Sequence, residues 1–148
     1  MMIHGSSVAW KGGDGRWSAV LLRGKSGSGK SDLCFRLMDA GGALIADDQV
    51  ALELRLGKIM AAAPEAIHGL IEVRGLGLLK YPVAPLSQLC LIVDLLPREE
   101  VPRIPEWETV NILGVAVACL RLHAFDASTP AKIVKAIDLV YQPELLVK

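Results

Sequence analysis

Apolar residues in this chain fall mostly in short runs broken by turn-forming residues, not in long helical stripes. Ser6 to Trp10 and Trp17 to Arg23 flank Lys11-Gly12-Gly13-Asp14-Gly15-Arg16, which predicts a first hairpin. Ser18-Ala19-Val20-Leu21-Leu22 reads as a short buried strand that points into a Gly/Ser-rich loop. From Ser31 to Ala40 the period changes. Leu33, Phe35, Leu37 and Met38 lie among Asp32, Arg36 and Asp39, and Gly41-Gly42 follows, so a helix is expected there. Ala43 to Ala46 is a short buried strand that ends in Asp47-Asp48. Gln49 to Leu56 and Lys58 to Ala62 form a hairpin turning near Gly57. Pro64 to Leu70 is irregular or a helical turn. Ile71-Glu72-Val73 then leads into Arg74-Gly75-Leu76-Gly77, where the glycines permit a tight backbone. Leu89 to Leu95 is another buried strand, and Pro97 to Pro105 a polar, proline-marked loop. Glu108 to Ile112 and Val115 to His123 pair around Leu113-Gly114. Thr129-Pro130 opens a last helix whose apolar face carries Ile133, Ile137 and Val140. These elements make an α/β domain with a mixed sheet, few helices and many strands, expected to be one domain over residues 1–148.

Composition narrows the classes. Hydrophobic residues are 52% of the chain, and mean hydropathy is +0.41, which fits a large buried sheet and subunit interfaces. Sixteen Lys and Arg balance sixteen Asp and Glu, so no net charge argues for nucleic acid or an anionic membrane. The apolar run Leu89 to Leu96 contains Asp94 and is too short to span a bilayer. The N-terminus lacks the basic and apolar regions of a signal peptide. Cys34, Cys90 and Cys119 are odd in number, far apart and in apolar surroundings, the pattern of reduced buried thiols in a cytoplasmic protein. No CxxC pair or His/Cys cluster suggests zinc.

The strongest chemical signal is Gly24-Lys25-Ser26-Gly27-Ser28-Gly29-Lys30-Ser31, which meets G-x-x-x-x-G-K-[ST] at every fixed position. Glycines let successive N–H groups turn inward as an anion-binding nest, and the helix that starts there adds its positive end. In such a P-loop Lys30 reaches the β- and γ-phosphates and the Ser31 hydroxyl ligands Mg²⁺. The motif also sits between a buried strand and an amphipathic helix, the context it requires. The glycines do not fit the G-x-G-x-x-G spacing of dinucleotide-binding folds.

Phosphoryl transfer needs carboxylates near that cradle to hold metal and to orient the nucleophile. Asp47 and Asp48 follow the next strand. If that strand lies parallel beside the one feeding the loop, both emerge at the sheet edge where ligands bind. One then holds Mg²⁺ and the other acts as base. Leu91-Ile92-Val93-Asp94 is a competitor, since an apolar strand ending in Asp is the general Walker-B pattern.

Ile3-His4-Gly5, the P-loop, Leu44-Ile45-Ala46-Asp47-Asp48 and Leu70-Ile71-Glu72-Val73-Arg74-Gly75-Leu76-Gly77 occur in the order found in the HPr kinase/phosphorylase family. From Ile3 to about Leu122 the chain resembles that family's catalytic domain. The resemblance implies a P-loop fold like that of phosphoenolpyruvate carboxykinase, an ATP- and Mg²⁺-dependent protein serine kinase acting on an HPr-type phosphocarrier, and a reverse phosphorylase activity. It implies a hexamer. It also implies that Asp47 is the base, that Asp48, Glu72 and Ser31 hold Mg²⁺, that Lys30 and the loop amides hold ATP phosphates, that Arg74 stabilises charge on the transferred group, and that His4 sits beside the site. Control by a second protein such as a sensor histidine kinase is left open.

Three features depart from the family pattern. The chain opens directly at the catalytic domain, as short alphaproteobacterial forms do. His123 to Lys132 lacks the family's Gly and Arg residues, which puts the phosphorylase activity in question. Lys25 stands where many members have an acidic residue. Taken as ordinary residues, Glu72 and Arg74 would be an exposed strand pair, and His68 and His123 surface or hydrogen-bonded histidines. Two other readings stay open at this stage: a small-molecule kinase using Asp94, and a nucleotide-sensing module without turnover.

Overall fold

The computed structural model describes residues 1–147; Lys148, included in the expected domain span, lies outside the described residues. Eleven strands and two helices follow one another as β1 (Met2–His4), β2 (Ser6–Lys11), β3 (Trp17–Arg23), α1 (Lys30–Asp39), β4 (Ala43–Ala46), β5 (Gln49–Arg55), β6 (Lys58–Ala62), β7 (Leu70–Val73), β8 (Gly77–Lys80), β9 (Ser87–Leu95), β10 (Glu108–Ile112), β11 (Val115–Leu122) and α2 (Thr129–Tyr141). Nine of the strands form one sheet. Its main path runs β1-β5-β6-β9-β3-β2-β4, and β11 joins β9 with β10 outside it.

The long strand β9 organises this sheet. On one side it runs parallel to β3. On the other its start pairs antiparallel with β6, and its later residues pair parallel with β11. Three strands therefore deliver their carboxyl ends, at Arg23, Leu95 and Leu122, to one edge. The unbroken apolar runs of β3 and β9 are explained by burial on both faces. Val20, Leu22, Leu91 and Val93 pack with Leu33, Leu37 and Ile133 of the helices. Ala19, Leu21, Leu89 and Ile92 pack instead with Val50, Leu52, Ile59, Ile112 and Val117, around which the sheet curls.

The predicted hairpins, both helices and the strands at 43–46 and 89–95 are present, with ends shifted by a residue or two. One expectation about placement is corrected. β4 is not beside β3: β2 lies between, antiparallel to both, so β4 keeps β3's direction one strand further out. The Asp47-Asp48 pair still emerges at the same edge. Two strands escape the sequence pattern. β1 pairs with β5, and β8 folds back on β7 as a separate two-stranded sheet packed on α1 through Ile71.

The three thiols are unpaired and buried. Burial raises the Cys34 thiol far above its usual range and pushes Cys90 up to about 12 and Cys119 up to about 11. Among the described residues no helix is long and apolar enough to cross a membrane.

Gly5, between β1 and β2, sits against the backbone of β3. A Cβ there would lie 2.5 Å from the Leu22 carbonyl oxygen, which cannot move without disturbing the central strand. Gly13 in the first hairpin has nothing within 4 Å of that position. Gly5→Ala is therefore expected to lower stability by about 1–3 kcal/mol, a fall in Tm of several degrees by thermal unfolding, with Gly13→Ala close to wild type.

Candidate functional site

The loop from Gly24 to Gly29 leaves the end of β3 and turns directly into α1. Gly29 is the N-cap, with φ +97°, a left-handed conformation that side chains rarely adopt. Its missing side chain matters twice, because a Cβ there would stand 2.8 Å from both Ala124 and Phe125. Gly24 is equally confined: a Cβ would meet the Ser28 hydroxyl at 2.5 Å. The first amides of α1 have no intrahelical acceptor and no side-chain cap, so they stay available to an anion.

Lys30 is the second feature. It is buried, and its Nζ donates to the Gly24 and Lys25 carbonyls at 2.7 and 3.0 Å. An ammonium carries three protons, so one remains. Among the described residues no carboxylate lies within ion-pairing distance of it. A buried cation with only neutral partners is costly, and an anion on the loop would offset that cost. The Ser28 hydroxyl is also buried without a partner. These residues fit a phosphate group.

Asp47 is the third feature. It is buried at the end of β4, and its Oδ1 accepts hydrogen bonds from the Ser6 hydroxyl at 2.7 Å and the Ser31 hydroxyl at 2.8 Å. Three elements, β2, α1 and the end of β4, thus converge on one carboxylate oxygen. Both hydroxyls use Oδ1, which leaves the lone pairs of Oδ2 for another partner. Two oxygen donors, Ser31 Oγ and Asp47, suit a hard cation such as Mg²⁺, which takes one or two carboxylates and fills the rest of its shell with phosphate and water. Among the described residues no group of three or more His, Cys, Asp or Glu forms a preassembled metal cage.

Asp48 points elsewhere. It is exposed, has φ +73°, and lies with its Oδ1 3.5 Å from Nδ1 of His4. The backbone holds it there, because Gly5 N–H donates to the Asp48 carbonyl at 3.0 Å and β1 pairs with β5 at His4 and Gln49. His4 is therefore an ordered neighbour of the acidic pair. Glu72 and Arg74 are exposed, on β7 and in the turn after it, and no ion pair joins either to this group. Lys25, Ser26 and Gly27 form the exposed crest of the loop. Asp94, the competing carboxylate, is committed to Arg23, whose Nε and Nη2 donate to it at 2.8 and 3.0 Å. That bond raises the Arg23 pKa further. The Cys119 thiol donates to Asp94 as well. Ser31 reaches Asp47, not Asp94.

On the other flank of the loop a cavity of about 630 Å³ opens, walled by Gly24–Ser28 and by Arg23, Asp94, Glu100, Arg121, His123 and Phe125. The sequence singles out the loop, Asp94 and the stretch from His123, but not that they form one wall with Arg23, Glu100 and Arg121. Its residues come from strand ends far apart in the chain, and the one available signal was the charged row Arg23, Asp94, Arg121 at the ends of apolar runs.

A strand that feeds a glycine-rich loop into a helix, with a strand-end carboxylate against the helix's first serine, defines the class: an α/β domain built around a strand–loop–helix anion cradle. The chain belongs to the HPr Serine kinase C-terminal domain family, whose model matches residues 3–144. Proteins of Burkholderia cenocepacia and Paraburkholderia phymatum, each named HPr kinase/phosphorylase, are 37% identical over 129 residues. Those matches cover 79% of this chain, which spans 40% of the length of those relatives. The solved structure of the HPr(Ser) kinase/phosphatase from Coxiella burnetii matches the fold with a TM-score of 0.78 at 20% identity, covering 98% of this chain and 92% of that one.

Ser6 offers a direct check on the Asp47 knot. Ser6→Ala removes a buried donor to a carboxylate and is expected to cost about 1.5–3 kcal/mol, read as a lower Tm. Ser31→Ala, at a partly exposed position, should cost less. Equal, negligible losses in both would show that the two bonds do not hold the elements together.

Proposed function

We propose that this chain is the catalytic domain of an ATP- and Mg²⁺-dependent protein serine kinase that phosphorylates an HPr-type phosphocarrier. The observation that carries the reading is the buried Lys30 ammonium, set in a glycine-rich loop with no carboxylate partner among the described residues, beside a Ser31 hydroxyl already bonded to Asp47. Family membership and the names of the relatives support the substrate.

Lys30 and the amides at the start of α1 hold the phosphates of ATP. Ser31 Oγ and Asp47 would hold Mg²⁺, which when bound would offset the negative charge that develops on the phosphoryl group during transfer. The hydrogen bond from Ser31 supports exchanging the two roles expected for the acidic pair. Asp47 would hold the metal together with Ser31, whose lone pairs stay available to a cation while its proton is donated to Asp47 Oδ1. Asp48, exposed beside His4, takes the proton of the incoming serine hydroxyl. Its left-handed backbone is a local strain of the kind that recurs at working sites. By the family resemblance, Glu72 on β7 would help hold the metal and Arg74 in the turn after it would stabilise charge on the transferred group. The reverse reaction uses the same residues, with Asp48 returning the proton. Unpaired thiols fit a cytoplasmic setting, and the family resemblance adds a hexameric assembly.

The test is transfer of labelled phosphate from ATP to a serine of an HPr-type carrier. Wild type is expected to label the carrier with Mg²⁺ and to stop when the metal is chelated. Lys30→Ala should weaken ATP binding at least tenfold. Asp48→Asn should cut transfer by about 10²–10⁴-fold and leave ATP affinity within about threefold. ATP binding without transfer to any carrier would favour a nucleotide-sensing module. Full transfer by Asp48→Asn with loss in Asp47→Asn would return the base role to Asp47.

A further inference from the structure

The cavity beside the loop lies on the opposite side of β3 from Asp47, because β9 and β11 flank that strand on one side and β2 and β4 on the other. Its walls are built, not incidental. Arg23, Asp94 and Arg121 occupy matched positions on three neighbouring parallel strands, so their side chains form one row. The segments that follow β9 and β11 are stitched together: Leu96 N–H donates to the Leu122 carbonyl at 2.9 Å, and His123 Nδ1 lies 2.9 Å from the Leu96 carbonyl. A carbonyl only accepts, so Nδ1 carries the proton and Nε2 is left as an acceptor. Arg36 of α1 donates to the Ala124 carbonyl, Arg98 donates to Asp126 at 2.8 Å, and Thr129 donates to the His123 carbonyl. The segment is therefore held at both ends.

Phe125 stands out on this frame. It is 56% exposed, yet fixed edge-on to His123 with ring centres 5.8 Å apart and planes at 68°, directly over Gly29. A large aromatic ring held in water at the rim of a cavity has gained little from folding and has a free face for a ligand. Beside it are the second ring nitrogen of His123, a carboxylate and guanidinium groups. The loop backbone forms the inner wall, so anything bound here continues from whatever sits on Gly24–Ser28. The volume lies within the ~300–1,000 Å³ of small-molecule sites. This chemistry suits a planar, hydrogen-bonding heterocycle with an anionic tail.

We propose that this cavity takes the base and ribose of the nucleotide, with Phe125 stacking on the base and His123 Nε2 accepting a hydrogen bond from the nucleoside. The proposal rests on the phosphate-site reading above and assigns the other half of the ligand. The Arg23–Asp94 pair forms the floor and holds β3 against β9.

The experiment compares ATP with inorganic tripolyphosphate, which has the phosphates and no nucleoside, by calorimetric titration with Mg²⁺. Wild type is expected to bind ATP at least tenfold more tightly. Phe125→Ala should weaken ATP about tenfold, within the range for loss of a base–aromatic stack, and His123→Ala several-fold, both leaving tripolyphosphate within twofold. Phe125→Leu, which keeps apolar bulk over Gly29, should behave like Phe125→Ala if stacking is the cause. Equal binding of ATP and tripolyphosphate by wild type would overturn the pocket's role while leaving the phosphate site standing, and needs no variant. Parallel loss of both ligands in the variants would also overturn it, by tracing the effect to the loop. Binding of neither ligand by wild type would remove the phosphate site and the nucleoside site together.

Discussion

One carboxylate oxygen ties the chemistry of this domain to its fold. Asp47 Oδ1 receives a hydroxyl from β2 and a hydroxyl from the first turn of α1, and Asp47 itself directly follows β4. Water is largely excluded there, and a buried acceptor left short of donors is expensive. The two serines therefore tie loop, helix and strand to one point. These bonds also hold Ser31 and Asp47 together within the fold itself, which is the preorganisation the proposed site calls for.

The opposite flank of the loop obeys a different constraint. There it is backbone space that decides. Gly29 lacks a side chain, and Ala124 and Phe125 occupy the space a Cβ would need. The segment after β11 thus rests on the loop itself, and Arg36 of α1 clamps it through the Ala124 carbonyl. The glycine that gives α1 its start also seats the cavity wall. A loop that served only to cradle an anion would need Gly29 for its φ alone. Close packing by Phe125 is an additional demand, and it couples the two flanks.

How much of this is legible in the sequence follows from the range of each signal. The Gly24–Ser31 loop and the helix after it are contiguous, and spacing alone reveals them. The runs of β3 and β9 are read correctly because strands buried on both faces need no alternation. β1 and β8 are too short to show a period, and they exist because β5 and β7 offer partners. Asp47 and Asp48 are found by their position after a strand. Their different surroundings are not, because Ser6 and His4 approach from elsewhere in the chain. His123 reads as an ordinary histidine until Leu96, from a different strand end, fixes its tautomer and turns Nε2 free.

Asp94 shows why pattern alone could not choose among the carboxylates. It ends an apolar strand as a metal-binding aspartate does, and it stands at the ligand-binding edge. Its register, however, puts it between Arg23 and Arg121, and Arg23 takes both of its oxygens. Asp47 ends a shorter strand one place further out, across β2, and has hydroxyl partners instead of a cation. An acceptor already neutralised by a guanidinium gains little from a divalent ion, whereas one held only by hydroxyls gains much. Partner identity, which only the folded sheet supplies, separates a structural carboxylate from one suited to metal.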